Sequence, residues 1–211
     1  MAAPDPHSTA RLSDPRALRG YAHPLRLALM ALLRRDGPQT ATQAAQALGE
    51  SVPSCSFHLR QLAKYGLVEQ AGGGRGREKP WQATAMFTGW DTAGPDDPAA
   101  AAAAQALELT LLGQYFELAA RWMRARPAEP AEWREAAQSG DTMLHLTAGE
   151  LQDLAGRMQN LLQPYLTRST DPASRPAGTR PVMLVHLAIP LAAAGDPPPP
   201  PCTRPGEEKT S

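Results

Sequence analysis

Residues 51–84 read SVPSCSFHLRQLAKYGLVEQAGGGRGREKPWQAT. Ser51 can cap a helix and Pro53 fits its first turn, where a missing backbone N–H costs nothing. Cys55, Leu59 and Leu62 then fall at i, i+4 and i+7, a single inward stripe. Val52, Ser54, Ser56, Phe57, Arg60 and Lys64 are left on or near the other sides. Gly66 can take the left-handed terminal position, with Leu67 closing back onto the helix. Two short β-prone segments follow, LVEQA and PWQAT, flanking the glycine- and arginine-rich GGGRGREK. A compact helix is thus followed at once by a basic hairpin.

Working back toward the N-terminus, Thr40 and Gln43 form a capping box for a brief helix, ATQAAQAL, that stops at Gly49. A longer helix starts at Pro24 with Leu25, Leu29, Leu32 and Leu33 on one side, and RDGP ends it. Before it, Ser13 can cap a short helix with Pro15 in the first turn.

Two short helices joined by a tight turn are a device for reading DNA: the first braces on the backbone and the N-terminal part of the second enters the major groove. The outward side of 51–64 suits that task. Ser51, Val52, Ser54 and Ser56 lie at its leading end, Arg60 and Lys64 are long cations, and Phe57 can touch a thymine methyl group. His58 either reaches phosphate or packs at the helix edge. Arg75, Arg77 and Lys79 in the hairpin can follow a phosphate track or enter a minor groove.

The charge distribution agrees. Net charge is zero, but residues 1–90 carry 11 Lys/Arg against 6 Asp/Glu and residues 91–211 carry 10 against 15, so +5 stands against −5. Only the front half is suited to face phosphate.

The stretch HPLRLALMALLRRDGPQTATQAAQALGESVPSCSFHLRQLAKYGLVEQ, residues 23–70, resembles the ArsR-type winged helix-turn-helix family of bacterial repressors. The HPLRL start, the serine-bearing helix ending HLRQL and the GLV before the hairpin carry the likeness, which covers roughly residues 12–88. It implies a dimeric transcriptional regulator that leaves its operator when a metal, oxidant or other signal binds. Metal-sensing members use paired cysteines or His and acidic ligands on a terminal helix. This front domain holds one cysteine, so a soft-metal site is not expected.

Beyond residue 90 the chain changes character. GWDTAGPDDP, residues 89–98, reads as a linker. A long helix follows with Leu107, Leu111, Leu112, Tyr115, Leu118 and Trp122 on an apolar stripe, which is expected to be a dimer seam, with a core face inside one chain as the alternative. DTMLHL (141–146) and PVMLVHLAI (181–189) are candidate strands that could pair, and between them Thr147 and Glu150 cap a further helix. The expected organisation is a disordered 1–12, a winged helix-turn-helix over 13–88, a linker at 89–98, a helical dimerisation module with a short two-stranded element over 99–190, and a disordered Pro-rich tail over 191–211. The fold class is therefore mainly α, with α+β character.

Other readings are weaker. Cys55 sits on the buried stripe, where free cysteine is a small hydrophobe, and Cys202 in the tail has no visible partner. His145 and His186 fall in the two candidate strands, but a metal site needs a third ligand. The glycine run lacks the helix that a dinucleotide fingerprint requires, and no nucleophile motif such as GxSxG is present, so no enzyme and no cofactor are expected. Without an apolar signal core or an apolar stretch of spanning length, the expectation is a cytoplasmic protein off the membrane. Two alternatives stay open: a small-molecule-responsive regulator with a pocket between the long helix and the two strands, and a winged module that docks on protein and has no role on DNA.

Overall fold

A computed structural model describes residues 5, 8–72, 79–90 and 97–191. They make a mainly helical chain with a few short strands. Strand β1 (Thr9–Leu12) leads into α1 (Pro15–Tyr21), α2 (Pro24–Asp36), α3 (Ala41–Leu48) and α4 (Val52–Lys64). Next come β2 (Val68–Gln70), β3 (Trp81–Ala83), β4 (Phe87–Trp90), then α5 (Pro98–Ala125), α6 (Ala131–Ala136) and α7 (Ala148–Thr170).

Local chemistry sets the helix ends. The Thr40–Gln43 capping box is made in both directions, the Gln43 N–H donating to Thr40 Oγ1 and the Thr40 N–H to Gln43 Oε1. Gly49 and Gly66 take left-handed conformations at φ 70° and 69°, where a side chain would be strained. The cap of α1 is Asp14, whose Oδ1 accepts from the Arg16 N–H at 3.0 Å, and not Ser13. Asp14 directly precedes the first helical residue, Pro15, so its side chain is the one placed to reach that N–H.

One core joins the front elements. Leu18, Leu29, Met30, Cys55, Leu59, Leu62, Leu67 and Leu107 are its largest fully buried side chains. The Cys55–Leu59–Leu62 stripe thus packs α4 inward as its spacing requires. Leu107 comes from α5, whose first half lays Ala103, Ala104 and Leu107 into the same core beside α1. Small residues allow that helix to approach closely.

Arg34 pins the junction. Its guanidinium donates from Nε to the Ala85 carbonyl at 3.1 Å and from Nη2 to Thr88 Oγ1 at 2.7 Å, tying α2 to β4. Burial pulls its pKa down, partly countered by the neighbouring Tyr21 and Tyr115 hydroxyls.

Beyond the cap of α1, the chain departs from the sequence reading in three places. Thr9–Leu12, inside the stretch expected to be disordered, forms a parallel pair with Phe87–Trp90 in register Thr9↔Phe87 to Leu12↔Trp90. Its signal is long-range: the Phe87 N–H donates to the Ser8 carbonyl, and Leu12 is the one fully buried side chain of β1. The linker reading of 89–98 shrinks accordingly, because Gly89 and Trp90 belong to β4 and α5 begins at Pro98; residues 91–96 lie outside the described residues. Finally, neither 141–146 nor 181–189 is a strand. Met143, Leu144 and Leu146 are exposed, with no ladder partner among the described residues to satisfy a strand's backbone. The two-stranded element expected beyond the linker is therefore not formed among the described residues.

The chain divides into two units, 1–181 and 182–211. In the first, Arg180 grips both oxygens of Glu129 at 2.7 and 3.3 Å and lies 4.9 Å from the Trp133 ring. In the second, residues 182–191 are irregular and the expected tail beyond them lies outside the described residues. Among the described residues no helix is long and apolar enough to cross a membrane.

Candidate nucleic-acid interface

Helix α4 presents its N-terminal half outward. Ser51 Oγ accepts from the Ser54 N–H at 3.3 Å, the Cys55 N–H donates to the Ser51 carbonyl and Pro53 has no N–H, so of the first-turn donors the Val52 N–H remains at the positive end of the helix dipole. Val52 and Phe57 are 39% and 51% exposed, far more than large apolar side chains need to be when a core lies alongside. Ser54 and Ser56 are half-buried beside them. Arg60 is exposed, its Nε donating to the Ser56 carbonyl at 3.2 Å, so the guanidinium lies along the helix with its Nη edge free to turn outward. Lys64 is exposed at the far end, 5.9 Å from the Tyr65 ring.

His58 belongs to a different environment. Its ring stacks on His23 at 4.4 Å, its Nδ1 lies 3.3 Å from Arg26 Nη1, and Phe57 meets it edge-on at 5.1 Å. Of its two open readings, the structure places it at the helix edge against α2 and not among the outward residues. His23 is itself occupied: its Nδ1 accepts from the Leu25 N–H at 3.2 Å and so caps α2. Both imidazoles accept at Nδ1, which suits their neutral forms. Burial first, then the nearby Arg26 for His23 and the His23–Arg26 pair for His58, hold both below the ordinary imidazole pKa, with Glu50 pulling weakly the other way.

Arg26 is the residue that sequence reading missed. It spans from α2 to α4, its Nε is buried with no hydrogen-bond partner, and burial lowers its pKa. The signal was available: His23 and Arg26 are three apart in the first turn of α2 and share a face.

The hairpin beside α4 is a two-stranded antiparallel ribbon in register Val68↔Ala83 to Gln70↔Trp81. Gln82 Nε2 donates to Glu69 Oε1 across it at 2.8 Å, and Thr84 Oγ1 donates to the Gly66 carbonyl at 2.7 Å, fixing the ribbon to the end of α4. Gln39 exchanges two backbone hydrogen bonds with Trp81, at 2.9 and 2.7 Å, so the segment before α3 braces the same ribbon. Lys79 is exposed at its outer end; Arg75 and Arg77 lie outside the described residues.

The expected dimer stripe of α5 splits. Leu107 is fully buried within the chain and Leu111 packs on the same core, so these two do not face outward. Tyr115 is half-buried, near Tyr21 and Arg34, and burial raises its pKa. Trp122 is half-buried, whereas Leu112 and Leu118 are exposed, 37% and 38%. A long helix with apolar residues on two sides offers two overlapping stripes, and the sequence alone does not say which one the chain itself covers.

Cys55 is fully buried, with burial raising its thiol pKa. His145 and His186 are exposed. Among the described residues no group of three or more His, Cys, Asp or Glu is arranged to hold a metal.

The arrangement of α2, α3 and α4 with the β2–β3 ribbon is a winged helix-turn-helix, a fold class used by DNA-binding transcriptional regulators. Residues 21–71 match the family model of the helix-turn-helix domain. No curated protein matches the chain. A solved structure described as "Crystal Structure of a transcriptional regulator" is 21% identical over 73% of this chain and 93% of that chain, at a TM-score of 0.26.

Proposed function

We propose that this protein is a sequence-specific, double-stranded DNA-binding transcriptional regulator that acts as a dimer on a pseudo-palindromic operator, most simply as a repressor. One observation carries the reading: the outer face of α4 leaves Val52, Phe57 and Arg60 unclaimed by the core, directly beside a ribbon whose loop carries basic residues. The recognition role falls to Ser51, Val52, Ser54, Ser56, Phe57 and Arg60, with Lys64 and Lys79 on flanking phosphates. Arg75 and Arg77 add phosphate or minor-groove contacts from the loop. His58 leaves this set and serves to hold α4 against α2.

The test is selection of bound duplexes from a random library at about physiological ionic strength, where non-specific binding is weak. Enrichment of a two-fold-symmetric site supports the reading, and Arg60→Ala should then relax preference at one position with a loss of about 1–3 kcal/mol. Failure to enrich any site favours the protein-docking winged module instead.

A further inference from the structure

Arg26 is a cation without a counter-charge. It stands in the first turn of α2, half-buried, and among the described residues no carboxylate pairs with it. Its Nε is buried and unpartnered, and its Nη1 meets a neutral acceptor, His58 Nδ1, at 3.3 Å. A guanidinium held this way costs the free protein stability, because its lost hydration is not offset by an opposite charge. Arginine does not escape that cost by giving up its proton.

The neighbours cannot supply what Arg26 lacks. His58 faces Arg26 through Nδ1, and His23 accepts the Leu25 N–H at Nδ1, so each neutral ring carries its proton on Nε2. The group is thus rich in donors and suits an oxyanion. Position says which one. His58 meets Phe57 edge-on at 5.1 Å, and Phe57 stands on the outer face of α4. Arg26 therefore flanks that face on the α2 side, level with residues 57 and 58, whereas the ribbon is tied to the far end of α4 at Gly66. A helix seated in a major groove has sugar-phosphate strands along its flanks. We propose that Arg26 donates from its Nη edge to a backbone phosphate of the duplex that α4 reads, with His58 as the positioning residue that aims it. This rests on the DNA-binding reading above and adds a phosphate contact separate from the wing's.

The test uses the full chain and two unrelated duplexes, since a phosphate contact carries no sequence. Arg26→Met keeps the apolar stem and removes the charge, and Arg26→Lys keeps the charge. Titrations at several salt concentrations should show Arg26→Met weakening both duplexes alike and lowering the salt slope by about one, with the slope kept in Arg26→Lys. His58→Leu should lower the slope as well, and His58→Asn, whose Oδ1 stands in for Nδ1, should restore it. Without DNA, Arg26→Met should melt no lower than the unchanged protein. An unchanged slope in Arg26→Met overturns the proposal and leaves the DNA reading standing. A lowered melting temperature with that unchanged slope makes Arg26 a brace between α2 and α4. Thermal stabilisation by inorganic phosphate that Arg26→Met abolishes, again without a change in slope, assigns the site to a free anion and also overturns it. An unchanged protein that binds neither duplex overturns this contact and the DNA reading together.

Discussion

At the scale of single residues, two contacts between α1, α2 and α4 carry measurable consequences. Gly20 sits where a Cβ would overlap the Tyr65 ring, which is how α1 crosses the end of α4 at close range. Gly20→Ala should cost roughly 1–3 kcal/mol, the range for overpacking. In a Tyr65→Ala background the same change should become neutral or favourable, because alanine is the better helix former by about 1 kcal/mol. Urea unfolding of the four proteins gives the coupling directly, and additivity would show that the ring is not the obstacle. The second contact is the His23–Arg26–His58 group. Both histidines are held below the ordinary imidazole value, so in the window beneath about pH 6.5 the unfolded chain binds more protons than the folded one. Stability should be complete above that window and fall as the pH drops through it. Arg26 and His23 press His58 in this direction while Glu50 opposes. His23→Asn keeps a side chain able to cap α2 but removes one titrating ring. It should flatten part of the decline in melting temperature between about pH 7.5 and pH 5.5; an unchanged slope assigns the decline to other groups.

At the scale of elements, the front helices were legible because their signals are local. The Thr40–Gln43 box, Ser51 before Pro53, and the 55–59–62 stripe each sit within one or two turns, and each is formed as read. What was not legible depends on distant partners. Strand β1 exists through pairing with β4, some eighty residues away in sequence, and four residues with one buried side chain carry no periodicity strong enough to announce it. The segments 141–146 and 181–189 fail in the opposite sense: they alternate like strands, yet alternation supplies a face and not a ladder partner. For the site, the outward residues of α4 followed from the inward stripe by subtraction, but His58 did not, since nothing in one helix's sequence tells which neighbour its edge meets. The wing yields its own prediction. Its ribbon is anchored to α4 by Thr84 and to the α3 entry by Gln39, so its loop should act on phosphate without altering what α4 reads. Arg77→Ala should weaken binding to every duplex alike and lower the salt slope by about one counterion. Titrations of two unrelated duplexes at several salt concentrations measure it, and an unchanged slope removes Arg77 from the phosphate contacts.

At the scale of the whole molecule, the two halves divide the work. The basic front, at +5, is suited to attraction by phosphate, and the acidic back, at −5, is not. Helix α5 joins the halves: its first part is built into the core of the DNA-facing domain through Leu107, and exposed apolar residues begin two positions later at Leu109 and continue at Leu112. On the dimeric reading proposed above, a second copy seated on that exposed part would be held rigidly with respect to both recognition helices, and the spacing of two half-sites would then be a property of α5. The consequence is a linkage between assembly and affinity. Joining two binding modules raises affinity for a paired site by about 10²–10⁴ without any new contact to DNA. Phe116→Glu should therefore lose about that factor on a two-fold site while binding an isolated half-site as well as the unchanged protein does. Fluorescence anisotropy on the two duplexes separates the cases. Equal loss on both would mean that the substitution has damaged the DNA-facing domain itself, and equal retention on both would mean that the two copies are joined elsewhere.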